Sequence, residues 1–283
     1  MNWIGGKSQS CKKIVELIPE HDCYIEVFAG GLWTFFCKAP SKIEIINNLN
    51  SELINFYRVI QRQPDKFMER EKYELYSSDL YYEYLQDFYS GKHATLTEVE
   101  RAFRFFCMIK EAFGSKFGGG WGYSGTKNVP SPFFNEFKMV NSVSERLKSA
   151  VIDNRDFEDV INSYDNPRVM FYCDPPYMKS DNTNYYYKSE KGEFTLSDHQ
   201  RLFNKLKTIK GKVILTIDDM PWIRERYTKE NGFYIIENEV CYSSGGTTNG
   251  TNNTRHEIEL IILNYNPERI QKHIDVRQGK LEF

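Results

Sequence analysis

Tyr24-Ile25-Glu26-Val27-Phe28-Ala29-Gly30-Gly31, continued by Leu32 to Cys37 and then by Lys42 to Ile46, decides the fold. The first five residues alternate bulky apolar groups with one acid and predict a strand, which the paired glycines end. Leu32 to Cys37 predicts a helix and Lys42 to Ile46 a second strand, closed by the polar cluster Asn47, Asn48, Asn50 and Ser51. A helix then runs to about Arg62, with Leu53, Ile54, Tyr57 and Ile60 on its inner face. Strand, helix, strand, helix in this order predicts an α/β fold with a mostly parallel sheet. Working outward, Ser8 to Ile18 reads as a short amphipathic helix. Downstream strands are expected at Val151-Ile152, Val169 to Cys173 and Lys212 to Ile217. Tyr234 to Tyr242 and Glu257 to Asn264 form a C-terminal antiparallel pair, joined by the polar loop Ser243 to Arg255.

Between Pro64 and Phe137 the alternation stops, and the pattern gives helices and one loop. Three segments are therefore expected: 1–63, a helical insertion 64–137, and 138–283. Thr97 and Glu100 have capping-box spacing ahead of Phe103, Phe106, Cys107 and Ile109. Ser197 and Gln200 have it ahead of Leu202, Phe203 and Leu206. Lys116-Phe117-Gly118-Gly119-Gly120-Trp121-Gly122-Tyr123-Ser124-Gly125 holds too many glycines for a regular element and is expected to be a mobile surface loop. Its interleaved aromatics and lysines also suit a segment that moulds onto nucleic acid.

An apolar fraction of 40% over 283 residues allows a sizeable core. A net charge of −2 excludes a globally basic nucleic-acid binder, so any such contact rests on local clusters, Lys7, Lys12 and Lys13 or Lys110, Lys116 and Lys127. The six cysteines form no C-x-x-C pair and share no ligand spacing with the five histidines, which read as surface residues, so no metal site is expected. Asp218-Asp219 reads as a cap for a short helix near Pro221-Trp222 rather than as a metal pair. No apolar run spans a membrane and no signal peptide is apparent, so the expectation is a reduced, cytoplasmic, monomeric protein.

The chemistry is concentrated where strands end. Asp174-Pro175-Pro176-Tyr177 follows the strand Val169 to Cys173 directly. A carboxylate beside a stiff double proline offers two acceptors, the Asp174 carboxylate and the Pro175 carbonyl, to an exocyclic amine. Tyr177 offers a face for stacking on a flat ring. Read singly, Asp174 is an ordinary loop carboxylate and Tyr177 a packing residue. Glu26, Phe28, Ala29, Gly30 and Gly31 form a strand-to-helix turn without the G-x-G-x-x-G spacing of a dinucleotide phosphate site. An acid and small residues suit S-adenosylmethionine, which carries an ammonium and a sulfonium but no phosphate. Trp3-Ile4-Gly5-Gly6-Lys7 stands ahead of this unit, with Lys7 a candidate partner for the cofactor's carboxylate.

With these pieces in this order, the chain resembles the Dam-type adenine-specific DNA methyltransferases of the class in which the cofactor half precedes the target-recognition segment. The resemblance spans nearly the whole chain. It rests on W-x-G-G-K at Trp3 to Lys7, E-x-F-x-G-G at Glu26 to Gly31, N-x-x-N-x-x-L-I-N at Asn47 to Asn55, Asp156-Phe157, and D-P-P-Y at Asp174 to Tyr177. It implies a Rossmann-like class I methyltransferase fold with an inserted helical target-recognition domain. It implies S-adenosylmethionine held by Trp3, Lys7, Glu26 to Gly31, Asn48, Asp156, Phe157 and Asp174. It further implies a flipped adenine of double-stranded DNA, methylated at N6, with Asp174, Pro175, Pro176 and Tyr177 as the catalytic set and a bacterial or phage setting. Lys116, Trp121, Tyr123 and Lys127 are the candidate DNA contacts. Two departures stand out. Relatives carry an Asp where this chain has Asn48, which weakens a ribose contact, and many carry a small residue where it has Leu32. These leave open a relative that binds DNA but methylates weakly. Action on cytosine N4, RNA adenine or a protein side chain is the other alternative.

Overall fold

The computed structural model describes residues 7–177, 194–243 and 254–270. Trp3 and nearly all of the loop expected between Ser243 and Arg255 therefore lie outside the described residues. In chain order the helices and strands are α1 (Cys11–Glu16), β1 (Cys23–Glu26), α2 (Trp33–Cys37), β2 (Ile43–Asn47), α3 (Ser51–Arg62), α4 (Pro64–Glu71), α5 (Ser78–Tyr89), α6 (Glu98–Lys110), α7 (Pro130–Phe137) and α8 (Val140–Leu147). They continue with β3 (Val151–Asp153), α9 (Phe157–Tyr164), β4 (Val169–Cys173), α10 (Leu196–Lys207), β5 (Lys212–Asp218), α11 (Pro221–Arg226), β6 (Tyr234–Ser243) and β7 (Thr254–Leu263).

The strands make one seven-stranded sheet in the order β3-β2-β1-β4-β5-β7-β6. β1 runs parallel to β4, with Glu26 opposite Tyr172, and β4 runs parallel to β5. β7 is antiparallel to β5 and β6, with Glu259 opposite both Asp218 and Asn238. The expected antiparallel C-terminal pair is thus present at the sheet's edge. Every residue of β1 and β4 is buried, which is why β4 reads as an unbroken apolar run and β1 as one up to Glu26. The strand order reverses between β1 and β4, the switch point where open α/β sheets bind ligands beyond the carboxyl ends of their strands. Glu26 ends β1 and Asp174 follows β4, so both carboxylates belong to that rim.

The chain divides into two compact units. The sheet unit comprises residues 7–45 and the described residues from 157 onward. The helical unit comprises residues 46–156 and is thus wider than the 64–137 segment. Asn50 starts its first helix, with the side chain accepting from the N–H groups of Glu52 (3.0 Å) and Leu53 (3.1 Å). Its core is aromatic: the Phe67 ring centroid lies 5.3 Å from that of Phe103, 5.7 Å from Phe106 and 5.9 Å from Phe56. Buried Glu52 on α3 is bound by Arg101 and, at 3.1 Å, by His93. Burial opposes its charge, but these two donors outweigh burial and hold its carboxyl below the usual range.

Four expectations need correction. Helix α10 is capped two residues earlier than the Ser197–Gln200 spacing suggests: Thr195 and Asp198 form the box, with Asp198 accepting from the Thr195 N–H at 2.8 Å. Thr97 does cap α6, but Glu100 turns to Arg70 and Arg104, each 2.7 Å away, so that box is half made. Asp219 caps nothing; it binds Arg224 through two contacts of 2.6 and 2.7 Å, and α11 begins at Met220-Pro221. The histidines are not all at the surface, since His93 and His199 are buried.

The glycine-rich loop is tethered. Phe117 packs against Phe88 and Phe105. Tyr81 donates to the Gly119 carbonyl at 2.5 Å, and Tyr76 donates to that of Gly122. The Trp121 indole donates to Glu111 at 3.1 Å, and Ala112 bridges to Trp121. Tyr76, Tyr81 and Phe88 lie before or on α5 and Phe105 on α6, too far away in sequence for composition to reveal them, while Glu111 and Ala112 directly follow α6.

Candidate active site

Asp174, Pro175, Pro176 and Tyr177 leave the end of β4 as irregular backbone, with Pro175 buried and Asp174 and Tyr177 partly so. Asp174 Oδ1 accepts from the Thr216 hydroxyl on β5 at 2.8 Å and lies 2.8 Å from the Lys7 ammonium. About a fifth of the Asp174 side chain, 21%, is exposed. Burial nevertheless pushes its carboxyl above the usual carboxylate range; Lys7 pulls it down, Glu259 adds to the rise, and Thr216 opposes it. The Lys7 ammonium also sits 3.2 Å from Glu259 Oε1 and 4.8 Å from the centre of the Tyr177 ring. Tyr177 donates its hydroxyl to the same Glu259 oxygen. Burial, with Asp174 and Glu259 close by, keeps that phenol protonated far above neutral pH.

His199 on α10 supports the turn from behind. It is 1% exposed and forms a hydrogen bond with the Pro176 backbone. Burial lowers its pKa to about 4, so at neutral pH the ring is uncharged and serves as a fixed donor.

At the end of β1, Glu26 is 3% exposed and accepts from the Tyr24 hydroxyl at 3.0 Å. Burial pushes its carboxyl up to about 7, against the Tyr24 hydroxyl and the Phe35 backbone N–H, which both favour the charged form. Ala29 is fully buried beyond it, and Gly30 and Gly31 complete the turn. Leu32 then adopts φ +55°, a left-handed conformation that costs a bulky side chain about 1 kcal/mol or more, and it caps α2 from there. Phe28 packs 5.6 Å from Phe157 and 5.5 Å from Phe194, and the Arg201 guanidinium lies 4.7 Å above Phe157. An aromatic cluster beside a buried carboxylate fits S-adenosylmethionine, whose adenine needs an apolar slot and whose methionine part carries an ammonium.

Asn48 and Asp156 belong to the helical unit. Asn47 exchanges two hydrogen bonds with the Arg155 backbone, of 3.0 and 2.9 Å, and Asn154 donates to the Asn48 carbonyl at 2.7 Å. The loops that carry Asn48 and Asp156 are therefore tied together. The Asn48 side chain accepts from the Asn50 N–H at 2.7 Å.

Of the candidate DNA contacts, Tyr123 and Lys127 are exposed, while Lys116 and Trp121 are partly buried. Trp121 and Tyr123 stack with centroids 6.0 Å apart. Lys110 leaves the basic cluster read from the sequence: its side chain is 4% exposed and its amine binds Glu136 at 2.8 Å. Sequence reading missed Glu259, Thr216, His199 and Phe194. Each looks ordinary in its own segment, and only the register of β4, β5 and β7 and the packing of α10 bring them to the rim.

Comparison with known proteins identifies the family. The family described as D12 class N6 adenine-specific DNA methyltransferase matches residues 3–243. The chain is 30% identical over 281 residues to the Type II methyltransferase M1.LlaDCHI of Lactococcus lactis subsp. cremoris, covering 93% of this chain and 94% of that one. It is 29% identical over 276 residues to the Type II methyltransferase M.CviBI of Paramecium bursaria Chlorella virus NC1A, covering 94% and 98%. It is 22% identical over 279 residues to the DNA adenine methylase of Escherichia coli (strain K12), covering 94% and 95%.

Proposed function

The chain belongs to the D12 class N6 adenine-specific DNA methyltransferases, and from that premise we propose that Asp174, Pro175, Pro176 and Tyr177 hold the target adenine while the β1 turn holds the methyl donor. The protein methylates adenine N6 in DNA. The observation that carries the assignment of residues is the Asp174 carboxylate, fixed by Thr216 at the sheet's switch point with an aromatic face beside it.

S-adenosylmethionine supplies an electrophilic methyl group on a positively charged sulfur. Glu26 would meet its ammonium, Phe28 and Phe157 would line a slot for its adenine, and Ala29, Gly30 and Gly31 would let it approach the backbone. Trp3 joins this set by family resemblance, whereas the Lys7 ammonium stands instead on Asp174 and Glu259. Family resemblance adds Asn48 as an acceptor for a ribose hydroxyl and Asp156 as a neighbour of the cofactor's adenine. The N6 lone pair of the target adenine is delocalised into its ring and is a poor nucleophile. Asp174 and the Pro175 carbonyl accept the two N6 protons and draw the nitrogen toward tetrahedral geometry, which turns its lone pair toward the methyl group. One N6 proton leaves by way of Asp174 to solvent. The base must leave the duplex to reach this site, and Tyr177 replaces part of its lost stacking. Residues 64–137 serve as the target-recognition insertion. Lys116, Trp121, Tyr123 and Lys127, on a loop pinned by Tyr76, Tyr81 and Glu111, meet the DNA. The setting is the cytoplasm of a bacterium or of a phage-infected cell, with the restriction-modification context that the relatives' Type II names suggest.

The test is transfer of tritium from labelled cofactor to unmodified duplex DNA, followed by nucleoside analysis. Label in N6-methyl-2′-deoxyadenosine is expected. Label in methylcytosine or in RNA, or DNA binding without label at saturating cofactor, would replace this reading with one of its alternatives.

Two further results are expected. Asn48→Asp restores a charged acceptor for the ribose and keeps the bond to the Asn50 N–H, gaining about 1 kcal/mol, or about fivefold in cofactor affinity. Calorimetry showing unchanged or weaker binding would contradict it. Cofactor affinity should also rise about fivefold between about pH 6 and about pH 7, because only the carboxylate of Glu26 attracts the ammonium and its pKa is about 7. For the unliganded protein the sign is opposite. A carboxyl raised from 4.5 to about 7 binds more protons folded than unfolded, so stability falls as pH climbs through that window. A flat affinity profile would remove Glu26 from the ammonium site.

A further inference from the structure

We propose that Glu259 is a positioning residue that receives the Lys7 ammonium when the target adenine enters, and so frees Asp174 for the base. The inference rests on the assignment of Asp174 and Tyr177 to adenine binding and goes beyond it.

The Lys7 ammonium stands where the adenine amino group has to go. It is 2.8 Å from Asp174 Oδ1 and 4.8 Å from the centre of the Tyr177 ring, so it uses both the acceptor and the stacking face proposed for the base. It must withdraw for the base to bind. Lys7 is 6% exposed, and a buried ammonium that loses its counter-charge is heavily disfavoured. Glu259 answers this need. Its side chain is 4% exposed and its Oε1 already lies 3.2 Å from the ammonium, so the charge can pass from one carboxylate to the other without leaving a buried pair.

Glu259 is also held in place for the exchange. It sits on β7 opposite Asp218 and Asn238, and its Oε2 is 3.4 Å from the Asn238 amide. Tyr177 donates to Oε1, so the residue that takes the ammonium also fixes the ring that stacks on the base. With Glu259 neutral, Lys7 has Asp174 as its one charged partner among these groups. The ammonium then competes with the adenine amino group at the same oxygen.

The test uses the full-length protein, unmodified plasmid DNA and tritiated cofactor, with kcat and the KM for each substrate resolved. Glu259→Gln is expected to lower kcat by roughly 10²-fold, as removal of one well-placed active-site group does, with the KM for cofactor unchanged. Adding Lys7→Met to that variant removes the competing ammonium and should restore about tenfold, whereas independent effects would multiply into a deeper loss. Wild-type kcat in Glu259→Gln, or multiplying losses in the double variant, overturns the proposal. A second measurement needs no variant. In a crystal of the wild-type protein with duplex DNA and a non-reactive cofactor analogue, Lys7 Nζ should lie within hydrogen-bond distance of Glu259 and beyond it from Asp174. An ammonium still on Asp174 beside the bound base, or turned out to solvent, overturns it equally. If the wild-type protein puts no label into N6-methyl-2′-deoxyadenosine, the assignment beneath has failed; label with an indifferent Glu259 fails this inference alone.

Discussion

Asp174→Ala is expected to reduce methyl transfer by roughly 10³-fold or more while the protein stays folded and still binds its cofactor. The side chain supplies one of the two acceptors for the amine protons and is the charged one, so its loss removes an interaction that strengthens as the nitrogen gains positive character. The fold has little to lose. The side chain is 21% exposed, burial already disfavours its charge, and Lys7 keeps a partner in Glu259 at 3.2 Å. Single-turnover transfer, cofactor calorimetry and circular dichroism together make the test. Turnover within tenfold of wild type would take Asp174 out of the mechanism, and loss of helical signal would make the defect structural.

The largest stability effect is expected at Phe67→Ala. Phe67 is fully buried on α4, and its ring meets Phe56, Phe103, Phe106 and Phe137 at centroid distances of 5.3 to 6.1 Å. Truncating a ring enclosed on every side forfeits its transfer free energy and leaves a cavity, at about 3–5 kcal/mol. Domains of this kind are stable by only about 5–15 kcal/mol, so the change threatens the helical unit outright. The urea midpoint should fall accordingly, and DNA binding should fail at a lower temperature. A shift worth less than about 1 kcal/mol would mean that the neighbouring rings collapse into the space.

The strands were legible because burial on both faces writes itself as an apolar run. Val169 to Cys173 needed no adjustment, and β5 grew by one residue. The start of α10 misled because Thr195-Leu196-Ser197-Asp198-His199-Gln200 holds two overlapping box patterns. The one ending in a carboxylate wins, since a charge at the first turn also faces the helix's positive end. The turn proposed as catalytic could be singled out because its residues are contiguous. The groups around it could not. Thr216 and Glu259 converge through strand register, and a Glu in the run Glu257-Ile258-Glu259 looks like any exposed strand position. The glycine-rich loop failed for the same reason, since its hydrogen-bond donors Tyr76 and Tyr81 belong to another part of the chain.

β1 and β4 are neighbours at the centre of the sheet, yet in sequence they bracket the helical unit. During synthesis β1 leaves the ribosome long before the strand that completes it. Its apolar edge stays open through the emergence of eight helices, α2 to α9, and closing so long a loop is slow. A nascent chain that stalls before Cys173 carries an open strand edge and no catalytic turn, so premature termination yields an aggregation-prone fragment rather than a partly active enzyme.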